Sequence, residues 1–219
     1  MTEDIIVIGA GGFGRETLDV IEAINAAAVE PLWRVLGVVD DAPADIQRER
    51  LGARGISLLG GIKEVRNRVS GCYYVVGIGA PDVRSRLSEK LDSWGGRAAT
   101  LIHPAAVIGS KAAVDAGAIV CSGVQLSTNV RLGAHVHISP GAIIGHDSVV
   151  EKFVSVNPGA IISGDVQVGT GALVGAGAVI LQGLAIGPGA VVGACACVTH
   201  DVGKGKTVIG IPARDRKAF

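Results

Sequence analysis

Aromatic rings are nearly absent from this sequence, which has three Phe, two Trp and two Tyr in 219 residues. An ordinary globular core uses rings to fill volume. A chain that is 48% hydrophobic but 3% aromatic must instead build its interior from thin, uniform layers of Val, Ile, Leu and Ala. Net charge is lacking too. Twenty Lys and Arg balance twenty Asp and Glu, and they are scattered, which argues against the basic stripe of a nucleic-acid binder. No apolar run approaches the roughly 18 residues needed to span a bilayer, and no basic amphipathic stretch points to a membrane surface. The opening Met1-Thr2-Glu3-Asp4 lacks the basic start of a signal peptide, so cytoplasm is the expected compartment. Cysteine is sparse. Cys195 and Cys197 form a C-x-C pair with no second pair at zinc spacing. These two, with Cys72 and Cys121, read as reduced, small apolar fillers.

What the chain does have is glycine, 33 residues of it, and two unlike halves. Up to His103 the sequence alternates strand-like and helix-like stretches. Asp4–Gly9, Arg34–Asp40, Tyr73–Gly79 and Ala98–Ile102 read as strands. Gly14–Ala28, Lys63–Val69 and Pro81–Asp92 read as helices, the first with Leu18, Ile21 and Ile24 on one face. Such alternation predicts an α/β, Rossmann-like domain over residues 1–103, a small parallel sheet with helices on its faces.

From residue 104 to 219 the pattern is different. Every sixth residue from Ile108 to Val198 is Ile, Leu or Val, sixteen positions without an insertion. The residue two before each is Ala, Val, Leu or, once, Ser148. Residues two apart on a strand point the same way, so both columns face one interior. Three six-residue sides make an 18-residue coil, and coils stack at strand spacing, about 4.8 Å. This is a solenoid of hexapeptide repeats, a parallel β-helix. Gly often follows the aliphatic residue, as at Gly109, Gly133 and Gly145, and reads there as relief of turn strain.

The hexapeptide pattern resembles the left-handed β-helix acyltransferases, and Gly210-Ile211-Pro212-Ala213-Arg214 is similar to their G-x-P-A-K/R tail. The opening Ile6-Val7-Ile8-Gly9-Ala10-Gly11-Gly12-Phe13-Gly14, with Asp40-Asp41 and Gly77-Ile78-Gly79, resembles a narrower group. That group comprises bacterial nucleotide-sugar N-acetyltransferases acting on UDP- or GDP-linked 4-amino sugars, and the related sialic acid O-acetyltransferases. The resemblance implies a left-handed β-helix, a homotrimer, acetyl-CoA as co-substrate, a nucleotide-sugar as acceptor, and no metal.

His146 matches that family's catalytic histidine, followed by an acidic residue, Asp147. The chemistry agrees. An amine or hydroxyl attacking a thioester must lose a proton, which a neutral imidazole accepts near pH 7. A neighbouring carboxylate raises its basicity and fixes its tautomer. By register His146 stands at a coil corner between Thr128 and Gly164, small residues that leave room for a ligand. His200-Asp201 occupies the same corner three coils on and is the weaker rival. Gly9-x-Gly11-x-x-Gly14 between a strand and a helix fits a dinucleotide fingerprint, and its backbone N–H groups suit phosphate. Read alone it points to a nicotinamide cofactor. The resemblance instead implies that Gly12, Phe13 and Gly14 stand near the phosphates or base of a nucleotide-sugar, with Asp40, Asp41 and Gly79 as further contacts.

For CoA, the resemblance implies a groove between neighbouring β-helices lined by Ser155, Gly164, Ala176, Ala194 and Arg214, with Lys206 beside the phosphates. Ser155 stands where some relatives carry a second histidine. The favoured expectation is an acyl-CoA-dependent acyltransferase with His146 as general base. The alternative is a metal-binding β-helix protein resembling the carbonic-anhydrase-like hexapeptide proteins. Its ligands would be His135, His137 and His146, with His137 pointing outward.

Overall fold

The computed structural model describes residues 2–215 and divides the chain into two compact units, between Pro104 and Ala105.

In the first unit four parallel strands lie in the order β2-β1-β3-β4: β1 (Glu3–Ile8), β2 (Trp33–Val39), β3 (Tyr73–Val76) and β4 (Arg97–Ala98). The run Ile5–Ile8 is buried on both sides, as a central parallel strand requires. Helix α1 (Gly12–Ala27) buries Leu18, Val20 and Ile21. Helix α2 (Asp45–Gly52) escapes the periodicity because Leu51 is its one buried residue. A 3₁₀ turn, Ile62–Val65, leads into α3 (Arg66–Val69), and α4 spans Pro81–Ser93. The chain passes from β1 to β2 on one side and crosses to β3 on the other. The crevice between β1 and β3 at their C-terminal ends is therefore the switch point where open α/β sheets bind ligands.

In the second unit sixteen two-residue strands run from Val107–Ile108 to Cys197–Val198 at six-residue spacing. Each of the first thirteen pairs in parallel with the strand 18 residues on, Ile143 with Ile161 and Val149 with Gln167 for example. Three faces result. The inward aliphatic column is buried from Val120 to Val198, while Ile108 at the open end is 39% exposed. Each fully buried Val, Ile or Leu contributes about 1.5–3 kcal/mol. The strand Thr207–Ile209 extends one face, and Arg214–Asp215 closes it antiparallel.

The corners correct the expectation about glycine. Fifteen residues in steps of six, from Lys111 through Asn129, Asp147 and Asp165 to Cys195, have positive φ. They lie three places after the aliphatic residue, not one. The glycines directly after it have another cause. A methyl group on Gly109 would come within 2.5 Å of the Ser127 carbonyl carbon, and one on Gly175 within 2.5 Å of the Ala194 nitrogen. Those glycines let one coil sit on the backbone of the next.

Candidate active site

His146 and Asp147 form one corner of the β-helix, between the strands Ile143–Ile144 and Val149–Val150. Asp147 takes φ 61°, a left-handed conformation that Asp adopts at low cost. That turn brings its Oδ2 to 2.8 Å from His146 Nδ1. Its other oxygen, Oδ1, accepts from Asn129 Nδ2 at 2.8 Å. Asn129 is the corner residue 18 places earlier, also left-handed at φ 60°. The hydrogen bond from Asn129, and then the one from His146, hold the Asp147 carboxyl below its ordinary value. A carboxylate at Nδ1 makes that nitrogen the protonated one, which leaves Nε2 with the lone pair. The imidazole is 59% exposed, so Nε2 is open to a reactant.

Gly164, one coil on, lies directly under the ring. A methyl group there would overlap the imidazole, at 2.5 Å from Cε1 and closer still to Nε2. This corrects the expectation of empty room: the space left by Gly164 is filled by the histidine itself, and Gly164 is its floor. Thr128, the other neighbour in the column, is tied to the Ser110 hydroxyl at 2.9 Å. Asn129 was not singled out from the sequence, although counting back 18 residues from Asp147 reaches it.

The rival corner lacks this arrangement. His200 Nδ1 lies 2.9 Å from the Thr199 hydroxyl, and Asp201 accepts the Ala185 N–H instead. His137, on the strand between the inward Val136 and Ile138, is not open to solvent: it is 2% exposed, and His135 is stacked on Phe153 at 5.3 Å. Among the described residues, no three His, Cys, Asp or Glu side chains of this chain converge as a metal site. The filler reading of cysteine holds for buried Cys72 and Cys121 but not for Cys195, which is exposed at a corner.

The residues matched to CoA are spread over the β-helix. Ser155 is buried, paired in register with His137. Ala176 and Ala194 are exposed and stacked on one another, since the Cys195 N–H bonds the Ala176 carbonyl, but on a different edge from His146 and Gly164. Arg214 is exposed near the end of the described chain, and Lys206 is paired with Asp215 at 3.3 Å.

In the first unit a crevice of about 570 Å³ opens at the C-terminal ends of β1, β2 and β3, against α4. Ile8, Val39, Ile62, Ile78, Val83 and Leu87 give it apolar walls, and Arg86 and Lys90 add positive charge. Neither cation was singled out in the sequence, where helix α4 shows only a charged face. Gly9, Gly14 and Gly77 serve packing. A methyl group on Gly14 would collide with the Gly9 carbonyl, and one on Gly77 would come within 2.6 Å of Gly14 Cα. Gly11, Gly12 and Gly79 face open space. Phe13 is half-buried in the first turn of α1. Asp40 accepts from the Ala10 and Ala42 N–H groups, and Asp41 from the Ile62 N–H, so much of their hydrogen-bonding capacity goes to the crevice's own loops.

Residues 4–91 match the PglD N-terminal domain family. The GDP-perosamine N-acetyltransferase of Escherichia coli O157:H7 is 32% identical over 150 residues, 68% of this chain. The match spans 65% of that relative's length. PerB from Caulobacter crescentus, in complex with CoA and GDP-perosamine, is 28% identical with a TM-score of 0.85, over 98% of this chain and 97% of that one. The acetyltransferase domain of PglB from Neisseria gonorrhoeae FA1090, in complex with acetyl coenzyme A, is 26% identical with a TM-score of 0.84, over 99% and 100%. The fold is that of these proteins, an α/β domain followed by a left-handed parallel β-helix, and the resemblance to hexapeptide-repeat sugar acyltransferases holds along the chain.

Proposed function

We propose that this chain transfers an acetyl group from acetyl-CoA to the amine of a nucleotide-linked amino sugar, with His146 as general base. One observation carries the reading: the Asn129–Asp147–His146 chain of hydrogen bonds fixes an exposed imidazole with Nε2 free. The names of the relatives, which act on GDP-perosamine or hold CoA and acetyl-CoA, support the choice of substrates.

The amine nitrogen attacks the thioester carbonyl carbon and gives its proton to Nε2. The resulting oxyanion is met by a backbone N–H. The C–S bond then breaks, and the CoA thiolate leaves with the proton that the imidazolium returns. Asp147 holds the imidazolium while it is charged. Attack is direct, with no acyl-enzyme. The nucleotide occupies the crevice of the first unit, its base against the apolar wall and its phosphates near Gly11, Gly12, Arg86 and Lys90. The assembly is a homotrimer, with CoA in the groove between neighbouring β-helices.

The test is thiol release from acetyl-CoA in the presence of UDP-, GDP- and dTDP-linked 4-amino sugars. One of these is expected to support turnover, and His146→Ala to reduce it by a factor of about 10²–10⁴. Near-normal turnover in that variant would overturn the assignment.

A further inference from the structure

Ser148 is the one polar residue in the small inward column of the β-helix, which otherwise holds Ala, Val and Leu from Ala106 to Ala196. It is fully buried. A lone hydroxyl in an aliphatic core is costly unless both its hydrogen-bonding roles are used. Here both are. Its Oγ donates to the Ser163 carbonyl at 3.0 Å and accepts from the Val166 N–H at 3.1 Å.

These two partners are the ends of the next corner. Where the inward residue is alanine, the corner closes on itself: Ala160, Ala172, Ala178, Ala190 and Ala196 each donate to the carbonyl three residues before, at 3.1–3.2 Å. Corners that end in valine, such as 127–130 and 133–136, lack that bond. In the corner 163–166, which ends in Val166, Ser148 takes both the N–H and the carbonyl. The hydroxyl is thus inserted into an open turn and clips it to the coil before.

Between those ends lies Gly164, the floor of the imidazole. The same peptide is held from above. A methyl group on Gly145 would come within 2.5 Å of the Gly164 nitrogen, and the His146 carbonyl accepts the Asp165 N–H at 2.8 Å. The corner that carries His146 therefore grips the corner that supports its ring, and Ser148 makes the side-chain contacts in that grip.

We infer that Ser148 is a positioning residue for the transfer reaction: its hydroxyl fixes the Ser163–Gly164 peptide and so the height and tilt of the His146 imidazole. The inference rests on His146 being the base. A misplacement of a reacting group by about 1 Å can cost on the order of a hundredfold in rate, whereas affinity for the nucleotide-sugar, whose nucleotide is held in the first unit, is untouched.

The column accepts valine at Val124, Val130, Val136, Val154 and Val166, so a side chain of that size fits it. Ser148→Thr and Ser148→Val have nearly the same shape and differ in the hydroxyl. In steady-state kinetics well below the melting temperature, Ser148→Val is expected to lower kcat about tenfold to a hundredfold with KM for the nucleotide-sugar unchanged. Ser148→Thr is expected to stay near the parent. Hydrogen exchange at the Val166 amide is expected to quicken in Ser148→Val only. Equal kinetics in the two variants, whether both active or both impaired, would overturn the inference, as would unchanged exchange at Val166. His146→Ala measured alongside separates the two possible failures. An active His146→Ala overturns the base assignment and this inference with it. An inactive His146→Ala beside a fully active Ser148→Val overturns this inference alone.

Discussion

Asn129 illustrates how a corner of the repeat is put to use. A left-handed φ is cheapest for Gly, then for Asn and Asp. A residue that only had to turn the chain would be glycine, as at Gly141 and Gly159. Asn129 keeps the turn and adds an amide that reaches Asp147. Asn129→Gly therefore isolates the amide. Its corner should form normally, and kcat should fall about tenfold, with a larger loss for Asp147→Asn, which leaves the imidazole without a carboxylate.

The Asp147 carboxyl also gives a pH prediction. Its folded value lies below the ordinary 3.8, so its hydrogen bonds favour the folded state above that value and are lost as pH falls through the lowered one. The side chain is about half exposed to solvent, 49%, so the effect is small. Melting temperatures of the parent and Asn129→Gly should differ above the ordinary carboxylate range and converge as the pH falls through the lowered value.

At the scale of elements, the glycines of the first βα turn divide into two kinds. Gly14 brings the first turn of α1 against the Gly9 carbonyl. Gly14→Ala must push that helix off the strand and should cost about 1–3 kcal/mol, seen as a lowered melting temperature together with lost nucleotide binding. Gly12 faces open space. Gly12→Ala should leave the melting temperature unchanged or slightly raised, because Ala is the better helix former. Calorimetry should nevertheless show weaker binding of the nucleotide-sugar, since the added methyl stands where phosphate approaches the helix N-terminus. If Gly12→Ala bound the nucleotide-sugar normally, the phosphates would have to lie elsewhere in the crevice.

At the scale of the whole molecule, Gly164 and the pair Ala176 and Ala194 stand on different edges of one β-helix. A CoA lying along both would draw them from different copies, as the proposed trimer requires. Subunit mixing tests this. Ala176→Trp blocks one wall and His146→Ala removes the base from the other, so each homotrimer should be inactive. Trimers reassembled from an equal mixture should regain activity at roughly a quarter of their sites. No recovery would place both walls on one chain.

Much of this protein follows from its sequence without reference to tertiary structure. The six-residue period fixed the solenoid, because alternation along a strand leaves only one way to bury both columns. That register in turn placed His146, Thr128 and Gly164 in one column. The positions of α1, β1 and β3 were readable for the same reason, a strong local pattern. Helix α2 was not, since it buries only Leu51 and shows no period.

What tertiary structure decided are the distances across coils and loops. That Asn129 holds Asp147, that the imidazole fills the gap over Gly164, and that Ser148 bonds both ends of the next corner all depend on side-chain directions. So does the finding that Asp40 and Asp41 bond their own loops. Periodicity sets which residues are neighbours 18 apart. Only packing sets which of their atoms meet.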